Sequence, residues 1–153
     1  MALQIGDKIP EELGTNQHGS PVKASDYTGK KLALYFYPKD QTPGCTAQAC
    51  SLRDGYAELR NAGYSILGVS VDSAKSHQKF IDKYNLPFPL IADTEKKMVE
   101  AFGVWQEKSM MGKKFMGTVR TTFLIDEQGI ISHIIKGKAV NTGNHAEQIL
   151  GIQ

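Results

Sequence analysis

The sequence predicts a mixed α/β fold, on three observations. Two short apolar runs, residues 32–37 and 65–71, flank a segment with helical periodicity. Strand, helix and strand in that order imply a parallel βαβ unit with a right-handed crossover. Later, strand-like runs at residues 119–125 and 130–135 flank Asp126-Glu127-Gln128-Gly129, a turn sequence. That pattern is an antiparallel hairpin.

The elements follow in chain order. Gln17-His18-Gly19-Ser20 reads as a hairpin turn within the first thirty residues. Residues 32–37 form a buried strand stopped by Pro38. Residues 45–61 read as a helix, because Cys45, Ala49, Leu52, Tyr56 and Leu59 share one helical face and Gly63 ends it. Residues 65–71 are the next strand. A short helix from about Ser73 carries Phe80, Ile81 and Tyr84 on one side and stops at Asn85 and Pro87. Residues 94–102 predict another helix, capped by Asp93 or Thr94 and closed by Gly103. Residues 144–151 predict a last one. A parallel core pair with an antiparallel hairpin at its edge is the thioredoxin-like plan, a mixed central sheet flanked by helices. Residues 1–153 are expected to form one domain, since 153 residues sit within the usual range of about 100–200.

Composition narrows the function classes. Hydrophobic residues make up 41% and charged residues 22%, which supports a packed core rather than disorder. The net charge is only +2, and like charges run no further than Lys doublets, so neither a nucleic acid nor an anionic membrane surface is the expected partner. The longest uninterrupted apolar run, residues 32–37, falls far short of the roughly 20 residues a membrane span needs. The N-terminal MALQIGDKIPEELG has neither a basic n-region nor an apolar h-region, so the expected compartment is the cytoplasm. In that reducing setting two cysteines are more readily catalytic, sensing or metal-binding than structural.

Cys45 lies where a strand and loop open into a helix. Thr42 can cap that helix and Pro43 suits its first turn. Unpaired N–H groups and the helix dipole there favour a thiolate. Equally, a free cysteine at this spacing is a good small core residue. Cys50 is five residues further on. Along an ideal helix the two Cα atoms would be about 8.7 Å apart, whereas a disulfide needs roughly 4.4–6.8 Å. Zinc would need two more ligands, and His18, His77, His133 and His145 offer no ligand-spaced pair. No C-x-x-C motif is present. Other residues read as structural. His77 shares the face of Phe80, Ile81 and Tyr84 and suits the core margin. His18 sits in a solvated turn, Trp105 and Phe88 are core or wall, and Lys113-Lys114 belongs to a solvated loop. Gly55, inside the helix, marks either close packing or a helix that opens easily. Arg120 alone would be an exposed strand residue.

The segment Pro38-x₃-Thr42-x₂-Cys45, within PKDQTPGCTAQAC, resembles the active-site signature of peroxiredoxins. With Cys50 five residues after Cys45, it resembles the peroxiredoxin Q or bacterioferritin comigratory protein branch. Gly103-Val104-Trp105, Met111-Gly112-Lys113-Lys114 and Arg120-Thr121-Thr122-Phe123-Leu124-Ile125-Asp126 extend the likeness, which runs from Gly6 to about residue 137. The resemblance implies a thioredoxin-like fold and a thiol peroxidase acting on hydrogen peroxide and organic hydroperoxides. Cys45 would be the peroxidatic cysteine and Cys50 the resolving one. Thr42 would hydrogen-bond thiolate and peroxide, Arg120 would hold the negative charge, and Pro38 would shield the pocket. Gln48 stands where this branch commonly has Glu. No haem, flavin or metal cofactor is implied. Thioredoxin or a similar dithiol would be the reductant, and an intramolecular disulfide requires no dimer, so a monomer suffices. A rival from another class is a thiol redox sensor or binding module on the same fold.

Overall fold

The computed structural model describes residues 2–152. Its centre is β3, Lys31–Phe36, buried along almost its whole length. Alternate side chains of a strand face opposite ways. Ala33 and Tyr35 therefore enter one core cluster, with Leu52, Ile66 and Phe80. Leu32, Leu34 and Phe36 enter a second, with Leu67, Met98 and Phe123. A strand buried on both faces needs apolar residues at every position, which is why residues 32–37 show no alternation.

β4 (Tyr64–Ser70) pairs parallel with β3, Leu32 opposite Ser65 and Phe36 opposite Val69. β5 (Leu90–Ala92) adds parallel to β4. On the other side β8 (Thr121–Ile125) runs antiparallel to β3, and β9 (Ile131–Lys136) antiparallel to β8. The five strands lie in the order β5-β4-β3-β8-β9, the mixed sheet expected from sequence. The N-terminal hairpin is also present, as β1 (Glu12–Thr15) and β2 (Pro21–Lys23).

The helices depart from the sequence reading at their ends. The segment expected as one helix over 45–61 is two, α1 (Pro43–Asp54) and α2 (Tyr56–Asn61), divided at Gly55. The division is a packing effect. A Cβ on Gly55 would lie 2.5 Å from the Cβ of Ala146, in α5 (His145–Leu150). Gly55 therefore marks close packing. α3 (Ala74–Tyr84) ends as expected: Ser73 accepts the Ser76 N–H at 3.2 Å, and Asn85 closes it in the left-handed region at φ 52°. α4 (Lys97–Ala101) is shorter than the expected 94–102. The Asp93 carboxylate reaches past residues 94–96 to accept the N–H groups of Met98 and Val99.

Residues 105–118 form a hairpin that sequence reasoning did not find, β6 (Trp105–Met110) and β7 (Lys113–Thr118). Both strands are largely solvated, so no period-2 apolar signal marks them. Lys113 and Lys114 are solvated, but in a strand rather than a loop. The turn uses Met111 at φ 52° and Gly112 at φ 81°, as a two-residue hairpin turn requires. The strand expected to start at residue 119 begins at Thr121, leaving Arg120 just outside it.

α5 is tied to the sheet by a buried polar pair. Gln148 Oε1 can only accept from His145 Nδ1 at 2.9 Å, so His145 Nε2 accepts the Thr122 hydroxyl at 2.7 Å. Burial, with Arg120 nearby, pushes the His145 imidazole down from 6.5 to about 4.

Two expectations follow from this packing. Gly55→Ala should destabilise the protein by about 1–3 kcal/mol through overpacking, against the roughly 1 kcal/mol gain that helix propensity alone would give. Thermal melts of Gly55→Ala and of Gly55→Ala with Ala146→Gly check this; the second change should restore the midpoint. His145 stays neutral when folded but takes a proton at pH 6.5 when unfolded, so its contribution is complete above pH 6.5 and is lost as pH falls towards 4. The melting temperature should therefore fall less between pH 7 and pH 4.5 in His145→Gln than in the wild type.

Candidate active site

The chain leaves β3 at its C-terminal end, the end at which open α/β sheets build their sites. Tyr37, Pro38, Lys39, Asp40 and Gln41 lead into α1, with Thr42 at its N-cap position and Pro43 in the first turn. Pro43 is tolerated there because a first-turn N–H has no intrahelical partner to lose. Cys45, two residues further on, is 1% exposed. Its sulfur thus sits in the first turn of a twelve-residue helix, next to unpaired N–H groups.

Arg120 comes to this sulfur from the sheet. Thr121 pairs with Phe36, the last residue of β3, so Arg120 is carried to the level of the loop. Its backbone is fixed by the Gly137 N–H, which donates to the Arg120 carbonyl at 2.7 Å. Arg120 Nη2 donates to Cys45 Sγ at 3.3 Å and Nη1 to Gln48 Oε1 at 2.6 Å. Gly44 leaves room for this approach, since a Cβ there would lie 3.1 Å from Nη2. The guanidinium is half-buried and the Gln48 side chain fully buried. Gln48, one turn after Cys45, holds Arg120 through a neutral amide. Its Nε2 has no hydrogen-bond partner among the described residues.

Thr42 is half-buried at the helix start, but its side chain does not cap α1. The hydroxyl donates instead to the Lys39 carbonyl at 2.8 Å, which leaves its oxygen free to accept. Pro38 is half-buried in the same loop. Cys50 is half-buried on α1, and both cysteines are free thiols. The structure thus brings Arg120 into contact with both Cys45 and Gln48 and places Thr42 and Pro38 in the loop before them. Cys50 lies beyond them on the same helix.

Three residues of this neighbourhood have surroundings that the sequence reading did not find. Tyr35, read only as strand, is fully buried, and its hydroxyl has no partner among the described residues. Burial foremost, and then the nearby Cys45, raise its ionisation well above the ordinary tyrosine range. Asp40, to which the sequence reading gave no role, is buried. Its carboxylate meets Tyr37 Oη at 2.5 Å, Ser76 Oγ at 2.7 Å and His77 Nδ1 at 2.7 Å. His77 is not at the core margin: it is completely buried, with Nε2 2.8 Å from the Ile91 carbonyl. Its i+3 and i+4 relation to Phe80 and Ile81 signalled burial but not the hydrogen bonds.

Chemically, a buried sulfur beside a guanidinium has a positive partner for any charge it takes on, and the same guanidinium can stabilise charge on an oxygen approaching that sulfur. Among the described residues, no three His, Cys, Asp or Glu side chains are grouped to hold a metal ion.

Comparison with known proteins places this geometry. The AhpC/TSA family model matches residues 5–134. Peroxiredoxin Bcp of Bacillus subtilis is 46% identical over 150 residues, covering 98% of this chain and 94% of that protein. A putative peroxiredoxin bcp of Coxiella burnetii is 44% identical over 151 residues, 99% of each. Among solved structures, PrxQ of Xylella fastidiosa has a TM-score of 0.88 at 33% identity, covering 98% of this chain and 94% of its own. Bacterioferritin comigratory protein of Xanthomonas campestris has a TM-score of 0.82 at 34% identity, covering 94% and 95%.

Proposed function

This chain belongs to the AhpC/TSA family, in its peroxiredoxin Q and Bcp branch, and from that premise we propose a catalytic cycle for it. It is a thiol-dependent peroxidase. The observation that carries the assignment of roles is the 3.3 Å approach of Arg120 Nη2 to Cys45 Sγ at the start of α1.

The Cys45 thiolate attacks one oxygen of a hydroperoxide. An S–O bond forms as the O–O bond breaks, and the other oxygen leaves as water or an alcohol after taking a proton. Arg120 holds the sulfur's charge before attack and the oxygen's charge during it. Thr42 orients the peroxide through its hydroxyl, and Pro38 keeps water from the thiolate. Cys45 is left as a sulfenic acid. The Cys50 thiol condenses with it, forming the Cys45–Cys50 disulfide and releasing water. An external dithiol, thioredoxin or one like it, reduces the disulfide by exchange. A reducing compartment supplies that dithiol, which places the working enzyme in the cytoplasm, and one chain suffices for the cycle. The substrates are hydrogen peroxide and organic hydroperoxides. Support for the second class comes from the Xanthomonas campestris relative, described by its alkyl peroxide reduction activity.

Resolution needs a change of shape. Cys45 and Cys50 lie on one continuous helix, Pro43–Asp54. Ideal helical geometry separates their Cα atoms by about 8.7 Å, roughly 2 Å beyond disulfide range. The later part of α1 is anchored: Ser51 Oγ accepts the Ala146 N–H at 3.2 Å, and Arg53 Nη1 donates to the Tyr84 carbonyl at 2.8 Å. Unwinding therefore proceeds from the N-terminal turns, at Cys45.

A coupled assay with peroxide, thioredoxin and thioredoxin reductase tests the assignment. Many turnovers per chain are expected from the wild type and none from Cys45→Ser; a single oxidation event without turnover would instead identify a redox sensor. Arg120→Met should slow the second-order reaction with hydrogen peroxide by about 10²–10³-fold, and an unchanged rate would remove Arg120 from the mechanism. Amide hydrogen exchange should show residues 45–50 protected in the reduced protein and exposed in the disulfide form. Equal protection, with the disulfide confirmed by mass, would rule out the unwinding step.

A further inference from the structure

Asp40 and His77 lie just behind the reacting loop, and no step of the cycle above uses them. The hydrogen bonds around them limit where the protons can be. The Ile91 carbonyl can only accept, so His77 Nε2, at 2.8 Å, carries a hydrogen. Asp40 Oδ1 receives the Tyr37 hydroxyl at 2.5 Å and Oδ2 the Ser76 hydroxyl at 2.7 Å. His77 Nδ1 lies 2.7 Å from the same Oδ2. Two bare lone pairs facing each other over that distance would repel, so one hydrogen lies between Nδ1 and Oδ2. The side chains are 0% and 2% exposed. A carboxylate buried this far with no positive partner would be strongly destabilised.

The other groups facing the pair agree. Asp72, which follows β4, is a second carboxylate, 2.8 Å from both the Asp40 N–H and the Ser70 hydroxyl. Tyr37, on the chain leaving β3, keeps its proton, with burial the main cause. The imidazole is thus the one basic side chain in this network of two carboxylates, two serine hydroxyls and a tyrosine.

The network grips the active-site loop. Asp40 is two residues before Thr42. Gln41 between them has φ 61°, a left-handed conformation that a non-glycine residue keeps only when its surroundings impose it. On one side Asp40 is bound to α3 through Ser76 and His77, and to the end of β4 through Asp72. On the other, Thr42 begins α1 and its hydroxyl returns to Lys39.

We propose that Asp40 and His77 form a buried carboxylate–imidazolium clamp whose shared proton positions the Thr42 loop over Cys45. They are positioning residues, acting through Thr42 rather than on peroxide, and the proposal rests on the peroxidase reading of Cys45. Loss of the proton, or of the carboxylate, releases Gln41 from its strained conformation and lets the Thr42 hydroxyl drift.

The test uses the reduced full-length protein. Nitrogen-15 NMR of the imidazoles at pH 7 should show two N–H protons on His77, the Nδ1 proton far downfield. In Asp40→Asn that proton should disappear, and reaction of Cys45 with hydrogen peroxide should slow roughly 10- to 100-fold, the range expected for a misplaced group near reacting atoms. Ser76→Ala, which removes one bond and keeps the ion pair, should retain the Nδ1 proton and slow the reaction less. A single N–H on wild-type His77, or a wild-type rate in Asp40→Asn, would overturn the clamp. A wild type whose Cys45 does not react with peroxide would overturn the peroxidase reading, and the imidazole resonances would distinguish that failure from the clamp's.

Discussion

A buried sulfur that is to carry negative charge during attack needs a positive partner, and the arrangement of this molecule supplies one at Cys45. Cys45 is all but inaccessible to solvent, and Arg120 supplies the charge at 3.3 Å. An isolated buried charge would be neutralised or the structure opened around it. Several apparently separate features serve this contact. The β3–β8 register delivers Arg120 to the correct level, Gly44 leaves its path clear, and Gln48 fixes its other nitrogen without adding a competing charge.

The same helix must also be able to let go. α1 is firm at its C-terminal end, where Ser51 and Arg53 are bound to α5 and to the end of α3 and Gly55 packs against Ala146. Its N-terminal end is buried as well, and Arg120 reaches it from the sheet at Cys45 and Gln48. Stability is not uniform along a structure, and the segments that move are drawn from its weaker parts. The proposed cycle asks the turns between Cys45 and Cys50 to be ordered for attack and to open for resolution, which the contact of Arg120 with Cys45 opposes until that sulfur has reacted. The buried network at Asp40 and His77 stands outside the turns proposed to unwind, so the loop would keep a fixed point while those turns change.

The sequence made the central layers legible because burial leaves periodic traces. Residues 32–37 are apolar throughout, as a strand covered on both faces must be, and residues 65–71 are interrupted only by Ser65, Gly68 and Ser70. The helical spacing from Cys45 to Leu59 showed which face is buried, although not the break at Gly55, which depends on Ala146 across the core. The β6–β7 hairpin left no trace because neither of its faces is consistently covered. At the site, the local motif around Cys45 was readable and its resemblance carried Arg120 with it. Asp40 was not: a buried aspartate in a turn has the same sequence appearance as a solvated one. Its partners lie more than thirty residues away, on other elements. Thr42 showed the converse. Its position favours capping, yet its hydroxyl bonds the loop.

The central claim is that the environment of Cys45, and not merely the presence of a thiol, makes it the site of attack. Single-cysteine proteins measure this directly. Cys50→Ser and Cys45→Ser, each reduced, are given one equivalent of hydrogen peroxide with a sulfenic-acid trap, and the modified peptide is located by mass spectrometry. The account predicts near-stoichiometric labelling at Cys45 in the first protein and essentially none at Cys50 in the second. Equal labelling of the two cysteines, or labelling at Cys50 alone, would contradict it.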